Sequence, residues 1–293
     1  MNRRESKKLL HYSLINILVR TLFFKCIFFT FSVYAQNMQI KYVTEFSWDA
    51  KVIGEVIIEN EEHIAPGFLK MNSKMYPKNW VLKKMFNEND GEIIIRGEKN
   101  ILKYNLKDKE YWLINIDEYF NKEKKDTFSQ NSVSRSLLFS TLFESLIDTT
   151  VDELIIQREK ASQLENINGF RANKWITTIQ SSKQKLLFEE WFVKELSLKD
   201  TLDSLKFDIM ESLNPNKDKN IRTSYMISSD DFVWSADSTA VLDSLEGRIV
   251  QAKIHFEHEF FKSMSFEIKE LYTNSFDAAS FTIPEAYEKI EKK

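Results

Sequence analysis

Residues 91–116 read GEIIIRGEKNILKYNLKDKEYWLINI. Three short runs of branched and aromatic residues are separated there by turn formers. Glu92–Arg96, Ile101–Leu106 and Glu110–Ile116 are each predicted as a strand, with Gly97-Glu98-Lys99-Asn100 and Lys107-Asp108-Lys109 as the turns. Asn89-Asp90-Gly91 is the turn expected to open the set. Connections this tight favour an antiparallel meander.

The same texture recurs along the chain. In Gln39–Ala50, Tyr42, Thr44, Phe46 and Trp48 lie on the opposite side from Val43 and Glu45, and a second strand is predicted over Val52–Glu59. Further strands are expected at Asp152–Leu164, Phe170–Ile179, Leu186–Leu196, Arg248–Phe260 and Ser263–Leu271, with a turn at Asn166-Ile167-Asn168-Gly169. Three stretches change period. Ser132–Thr149 carries Val133, Leu137, Leu138, Phe139, Leu142, Phe143, Leu146 and Ile147 at helical spacing, a broad apolar stripe suited to a concave sheet. Ser197–Leu213 is also helical in period, and another helix is predicted between Ser235 and Leu245. Asn214–Asn220 reads as a polar loop, and a tail containing Pro284 closes the chain. No internal repeat and no Pro/Gly/Ser-rich linker divides it.

The first residues bear on compartment. Arg3, Arg4, Lys7 and Lys8 precede an apolar stretch whose unbroken part, Cys26 to Tyr34, reads CIFFTFSVY and ends at Val33-Tyr34-Ala35. That order matches a secretory signal cleaved after Ala35. Two alternatives stay open. An uncleaved anchor needs roughly 20 predominantly apolar residues, a count that Arg20 and Lys25 interrupt. A lipid-modified Cys26 is disfavoured by Lys25 in front of it, where a small residue is normal. Residues 1–35 hold six basic side chains and one Glu, so their removal takes the net charge from −3 to −8. An acidic mature chain argues against sequence-independent nucleic-acid binding and against simple electrostatic docking to anionic lipid. Cys26 is the only cysteine, so the remaining 258 residues hold no disulfide, thiol nucleophile or thiolate metal ligand. Hydrophobic burial, with 18 Phe in that part, has to hold the fold.

Candidate chemistry is sparse. His255-Phe256-Glu257-His258-Glu259 looks like a metal cluster, but on a strand His255 and His258 point to opposite faces. His63 is the third histidine of the mature chain. Glu61-Glu62, Glu189-Glu190 and Asp230-Asp231 are adjacent carboxylates, for which a wet surface is the default. The six glycines form no G-x-S-x-G elbow, no G-x-G-x-x-G and no phosphate loop. No enzyme activity, cofactor or metal is therefore expected. Trp48, Trp80, Trp112, Trp175, Trp191 and Trp234 are spread along the chain, as either a core or an apolar cavity would use them.

Three segments resemble a family. Ile94–Lys99 with Tyr104–Trp112 is similar to the "IIR-x-D-K … D-x-x-x-K-x-Y" double strand of an uncharacterised bacterial secreted family. Ile167–Trp175 with Glu189–Val193 resembles its "I-x-G-Y-x-C-x-K … x-E-x-W-V" hairpin, and Phe281–Tyr287 its "F-x-I-P-x-G-Y" close. Ala172 stands where many members have Cys, and Ala286 where Gly is usual. The resemblance implies the half-open barrel of the periplasmic lipoprotein carriers, with helices plugging the concave face, and no catalytic residues. The expectation is a mostly β (α+β) protein of the bacterial envelope, periplasmic or extracellular. Residues 1–35 are its signal peptide, and residues 36–293 form a single domain on a curved antiparallel sheet or half-open β-barrel. Its expected role is to bind a lipid or other apolar ligand, with Leu138 and Leu142 lining the site. The alternative is a structural or protein-interaction module with a filled core and an envelope protein as partner. N-terminal sequencing of the exported protein should start at or near Gln36; an intact leader in the membrane fraction would restore the anchor.

Overall fold

The computed structural model describes residues 38–52, 54–80, 83, 89–125, 154–181, 185–213, 228–236, 240–257, 261–283 and 285–291. The predicted 132–149 helix with Leu138 and Leu142, the 1–35 leader, the 214–220 loop and His258 lie outside them. Twelve strands form one open sheet: β1 Met38–Ala50, β2 Gly54–Ala65, β3 Phe68–Pro77, β4 Asn89–Ile95, β5 Asn100–Asn105, β6 Glu110–Asn115, β7 Ile155–Ile167, β8 Phe170–Gln180, β9 Lys185–Val193, β10 Arg248–Phe256, β11 Phe261–Ser275 and β12 Glu288–Lys289. Their order is β12-β6-β5-β4-β3-β2-β1-β11-β10-β9-β8-β7. All pairs are antiparallel except β12 with β6. Among the described residues the helices are α1 Ile116–Lys125, α2 Ser197–Leu213 and α3 Ser229–Ala236, with a 3-10 turn at Ala278–Phe281. Among the described residues no helix is long and apolar enough to cross a membrane.

The sheet is two meanders joined at one seam. β1 to β6 follow each other in space, as do β7 to β11, and β1 pairs with β11 along its whole length from Met38↔Ser275 to Ala50↔Phe261. The β7–β8 turn is the expected one: Asn168 and Gly169 have φ of 49° and 89°, the pair of left-handed residues that a two-residue hairpin needs. Asn166 Oδ1 accepts from the Gly169 amide at 2.9 Å. The same turn reveals curvature, because Asn168 Nδ2 donates to the Ile268 carbonyl at 2.8 Å. β8 and β11 are three places apart in the sheet, about 14 Å if it were flat. The hairpin tip therefore curls back over its own sheet.

Alternation divides the faces. On one face Ile40, Ile64, Leu69, Ile94 and Ile101 stand side by side across β1 to β5, all buried. Leu202 and Ile209 of α2 pack into the same cluster. Phe232 and Val233 of α3 pack on Phe188, Ile254, Phe256 and Met264, with Phe46 and Trp48 of β1 at their edge. Tyr42, beneath α2, has the same parity on β1 as Phe46 and Trp48, so α2 and α3 cover one face. The opposite face is laced with ion pairs such as Lys41–Glu270 at 2.9 Å, Lys74–Glu59 at 3.5 Å and Lys269–Glu45 at 3.5 Å. Exposed pairs of this kind contribute little stability.

Three expectations need correction. Asn89-Asp90-Gly91 is not a turn but the start of β4. The final helix lies at Ser229–Ala236 rather than 235–245, because Ser228 caps it: its Oγ accepts from the Asp230 amide at 3.3 Å. β3 and the charged α1 carry no strong periodic signal and were not expected at all. The Pro284 tail is a strap across the charged face. The Phe276 and Phe281 rings each lie tilted against Phe68 with centroids 5.4 Å away, Lys70 Nζ donates to the Ser280 carbonyl at 2.9 Å, and Tyr287 meets the Tyr104 ring edge-on at 6.1 Å. The first and last of the resembling segments are thus in contact.

Gly91 explains why a glycine sits inside a strand. A Cβ there would lie 2.2 Å from the Tyr104 ring, which is buried and donates its hydroxyl to Asn72 Oδ1. Gly91→Ala should cost about 1–3 kcal/mol, as overpacking does. Urea unfolding should also show part of that loss recovered in Gly91→Ala/Tyr104→Leu.

Candidate apolar-ligand surface

Two cross-strand rows cross the helix-covered face towards the β1–β2 turn. Phe266, Phe46, Ile58 and Met75 form one on β11, β1, β2 and β3. Met264, Trp48, Val56 and Pro77 form the next. All eight positions are apolar. Ile58, Val56, Met264 and Pro77 are buried, yet Phe46, Trp48, Met75 and Phe266 are only half-buried. Met71, further along β3, is half-buried at the edge of the α2 cluster. The face thus keeps a partly open strip of aromatic and thioether side chains where the α2 and α3 clusters approach each other. Aromatic rings offer large apolar contact area, and methionine adapts to irregular shapes.

Polar contacts fix the helices beside this strip. Over β1 and β2, Lys206 Nζ reaches Glu62 Oε1 at 2.8 Å and Lys199 Nζ lies 5.2 Å from the Tyr42 ring. Burial, followed by the nearby charges of Glu62 and Asp203, pushes the Tyr42 hydroxyl far above its ordinary range. At α3 the anchor is Glu190, a fully buried carboxylate. The Ser229 amide donates to its Oε1 at 3.0 Å, Ser228 Oγ donates to the same oxygen at 3.2 Å, and the Ser229 hydroxyl donates to Oε2. Arg158 stands behind: its Nη2 reaches Ser229 Oγ at 3.0 Å and Asp230 Oδ1 at 2.6 Å, and its Nε reaches Thr177 Oγ1 at 3.0 Å. A carboxylate facing the first amides of a helix also meets the positive end of its dipole.

The adjacent carboxylates separate as alternation requires. Glu61 pairs with His63 Nε2 at 2.5 Å on the charged face, while Glu62 turns to Lys206. The His63 hydrogen bond, opposed by burial, draws the Glu61 carboxyl below its usual range. Glu189 binds Lys174 and, at 3.2 Å, His255, whereas Glu190 points inward. Glu190 is therefore no wet surface charge, contrary to expectation. Its burial comes from a helix 39 residues away in sequence, which no local pattern announces. Asp230 lies at the start of α3 and pairs with Arg158. The sequence reading also missed the strip of Phe46, Trp48, Met71, Met75 and Phe266. Its signal was two aromatics at alternate positions of β1 and two methionines on one side of β3, four residues apart. Compared with known proteins, the chain matches no family model and no curated protein.

Burial pushes the Glu190 carboxyl above the ordinary range, and its Ser229, Ser228 and Arg158 neighbours hold it back. A carboxyl raised by folding stabilises fully below its ordinary value, and that contribution is lost as pH rises through the folded value. Urea melts from pH 4 to 8 should show the parent losing stability relative to Glu190→Gln as pH increases. Glu190→Leu, which leaves the Ser229 amide without its acceptor, should cost about 1–3 kcal/mol.

Proposed function

We propose that the chain is a non-catalytic, exported protein of the bacterial envelope that holds a lipid or other apolar ligand against the helix-covered face of its sheet. In this reading the sheet is a half-open barrel of the lipoprotein-carrier type, its concave side is the face bearing α2 and α3, and the ligand lies along Phe46, Trp48, Met71, Met75 and Phe266. The observation that carries the reading is the half-buried state of Phe46, Trp48, Met75 and Phe266 in two adjacent cross-strand rows that are apolar throughout. Leu138 and Leu142 remain proposed contributors from the 132–149 segment.

A second reading is a structural or interaction module of the envelope. Leu202 and Ile209 of α2 are both buried against Ile40, Ile64 and Leu69, so that end of the face is filled by the protein's own side chains. A fluorescent fatty acid separates the two. Saturable uptake is expected, with energy transfer from tryptophan, and Met75→Trp should abolish it by filling the strip while thermal melting stays near that of the parent. A parent protein that takes up no apolar probe leaves the interaction module as the better account.

A further inference from the structure

The β1–β2 end of the sheet carries an exposed rim of unusual composition. Val52, at the hairpin tip, is 80% exposed and Trp80, just beyond β3, is 69% exposed. Tyr76, also exposed, lies beside Ile57 of β2. Register brings the rim together: Ala50 pairs with Gly54 and with Phe261, and the Lys78 amide donates to the Glu55 carbonyl at 2.8 Å. Lys51, Lys78 and Lys262 stand among these apolar side chains. Two of the amines form ion pairs, Lys78 with Glu55 and Lys262 with Asp49, and in both the amine is the outer partner. The Lys78 side chain is 63% exposed against 31% for Glu55, and Lys262 is 53% exposed against 27% for Asp49. In these two pairs the outer charge is therefore positive, although the chain as a whole carries a net charge of −3.

From this arrangement we infer that the rim is a docking surface for an anionic lipid bilayer. Exposed Trp and Tyr place an apolar ring and a polar edge at the depth where headgroups meet acyl chains. Lysines carry their charge at the end of a flexible apolar stem, which lets the amine meet phosphate while the stem lies among apolar groups. Val52 is the side chain that enters furthest. Net charge governs attraction at long range, but within a Debye length of the membrane the nearest charges decide. The rim stands independently of what the strip binds. Docking here would bring the membrane beside Trp48 and Val56, the end of the strip nearest the hairpin.

Vesicle flotation tests the docking. The purified protein should float with phosphatidylcholine vesicles containing 30% phosphatidylglycerol, as about one in three lipids then carries charge, and much less with phosphatidylcholine alone. Raising the salt should weaken the binding. Lys51→Glu and Lys262→Glu should each lower the partition coefficient about fivefold or more, and Val52→Asp should lower it comparably. All three positions are on the surface, and circular dichroism checks that the variants fold. Fatty-acid uptake from solution should be unchanged in them, which separates failure of docking from failure of the ligand site. No binding by the parent, equal binding to both kinds of vesicle, or parental binding by the variants would each overturn the proposal.

Discussion

Everything in this molecule hangs on the pairing of β1 with β11. Thirteen residue pairs, Met38↔Ser275 through Ala50↔Phe261, join the two meanders in one sheet. Without them, β1–β6 and β7–β11 would each expose a long inner edge, and the apolar rows would be cut between Phe46 and Phe266. Two irregularities are built in, at Asp49/Ala50 near the hairpin end and between Val43 and Thr44, where the register slips by one residue so that Val43 faces Glu270 and Thr44 faces Ile268. A bulge of this kind increases local twist, and it lies in the seam where a bend is shared by both meanders.

From that seam the two faces acquire different jobs. The ion-paired face is closed at one end by the C-terminal strap, whose aromatic residues seat on Phe68 and Tyr104. The apolar face is covered by helices held through polar contacts as well as packing. Arg158, Thr177, Ser228, Ser229 and Glu190 form a connected network between β7, β8, β9 and α3. Such a network is costly when incomplete and specific when complete. It fixes where α3 sits, and so sets one border of the aromatic and methionine strip.

Much of the sheet was legible because its strands are either long and alternating or bounded by strong turns. β1, β4 to β6 and the β7–β8 hairpin fall into this group, and α2 occupies the predicted Ser197–Leu213. What escaped did so for physical reasons. β3 alternates Leu69, Met71, Ser73 and Met75 with Phe68, Lys70, Asn72 and Lys74, so neither face is uniformly apolar. Asn89-Asp90-Gly91 has turn composition, but its glycine is explained by the Tyr104 ring lying against it. The Ser229 helix was displaced in the prediction because apolar spacing further on outweighed the capping serine. The candidate surface was the least legible part. Its residues come from β1, β3 and β11, and only the long-range register brings Phe46 beside Phe266.

The last strand of the sheet has a property that bears on the protein's solubility. Among the described residues β7, 13 residues long, is the terminal strand on its side, the kind of edge on which another chain could add a strand. Its pairing with β8 breaks between Lys160 and Leu164. An incoming strand would have to match that interruption, and it would meet the charges of Glu159 and Lys160 next to it. Bulges and charged side chains on edge strands discourage sheet-to-sheet growth. The irregularity in β7 thus acts as a guard against fibrous self-association at that edge.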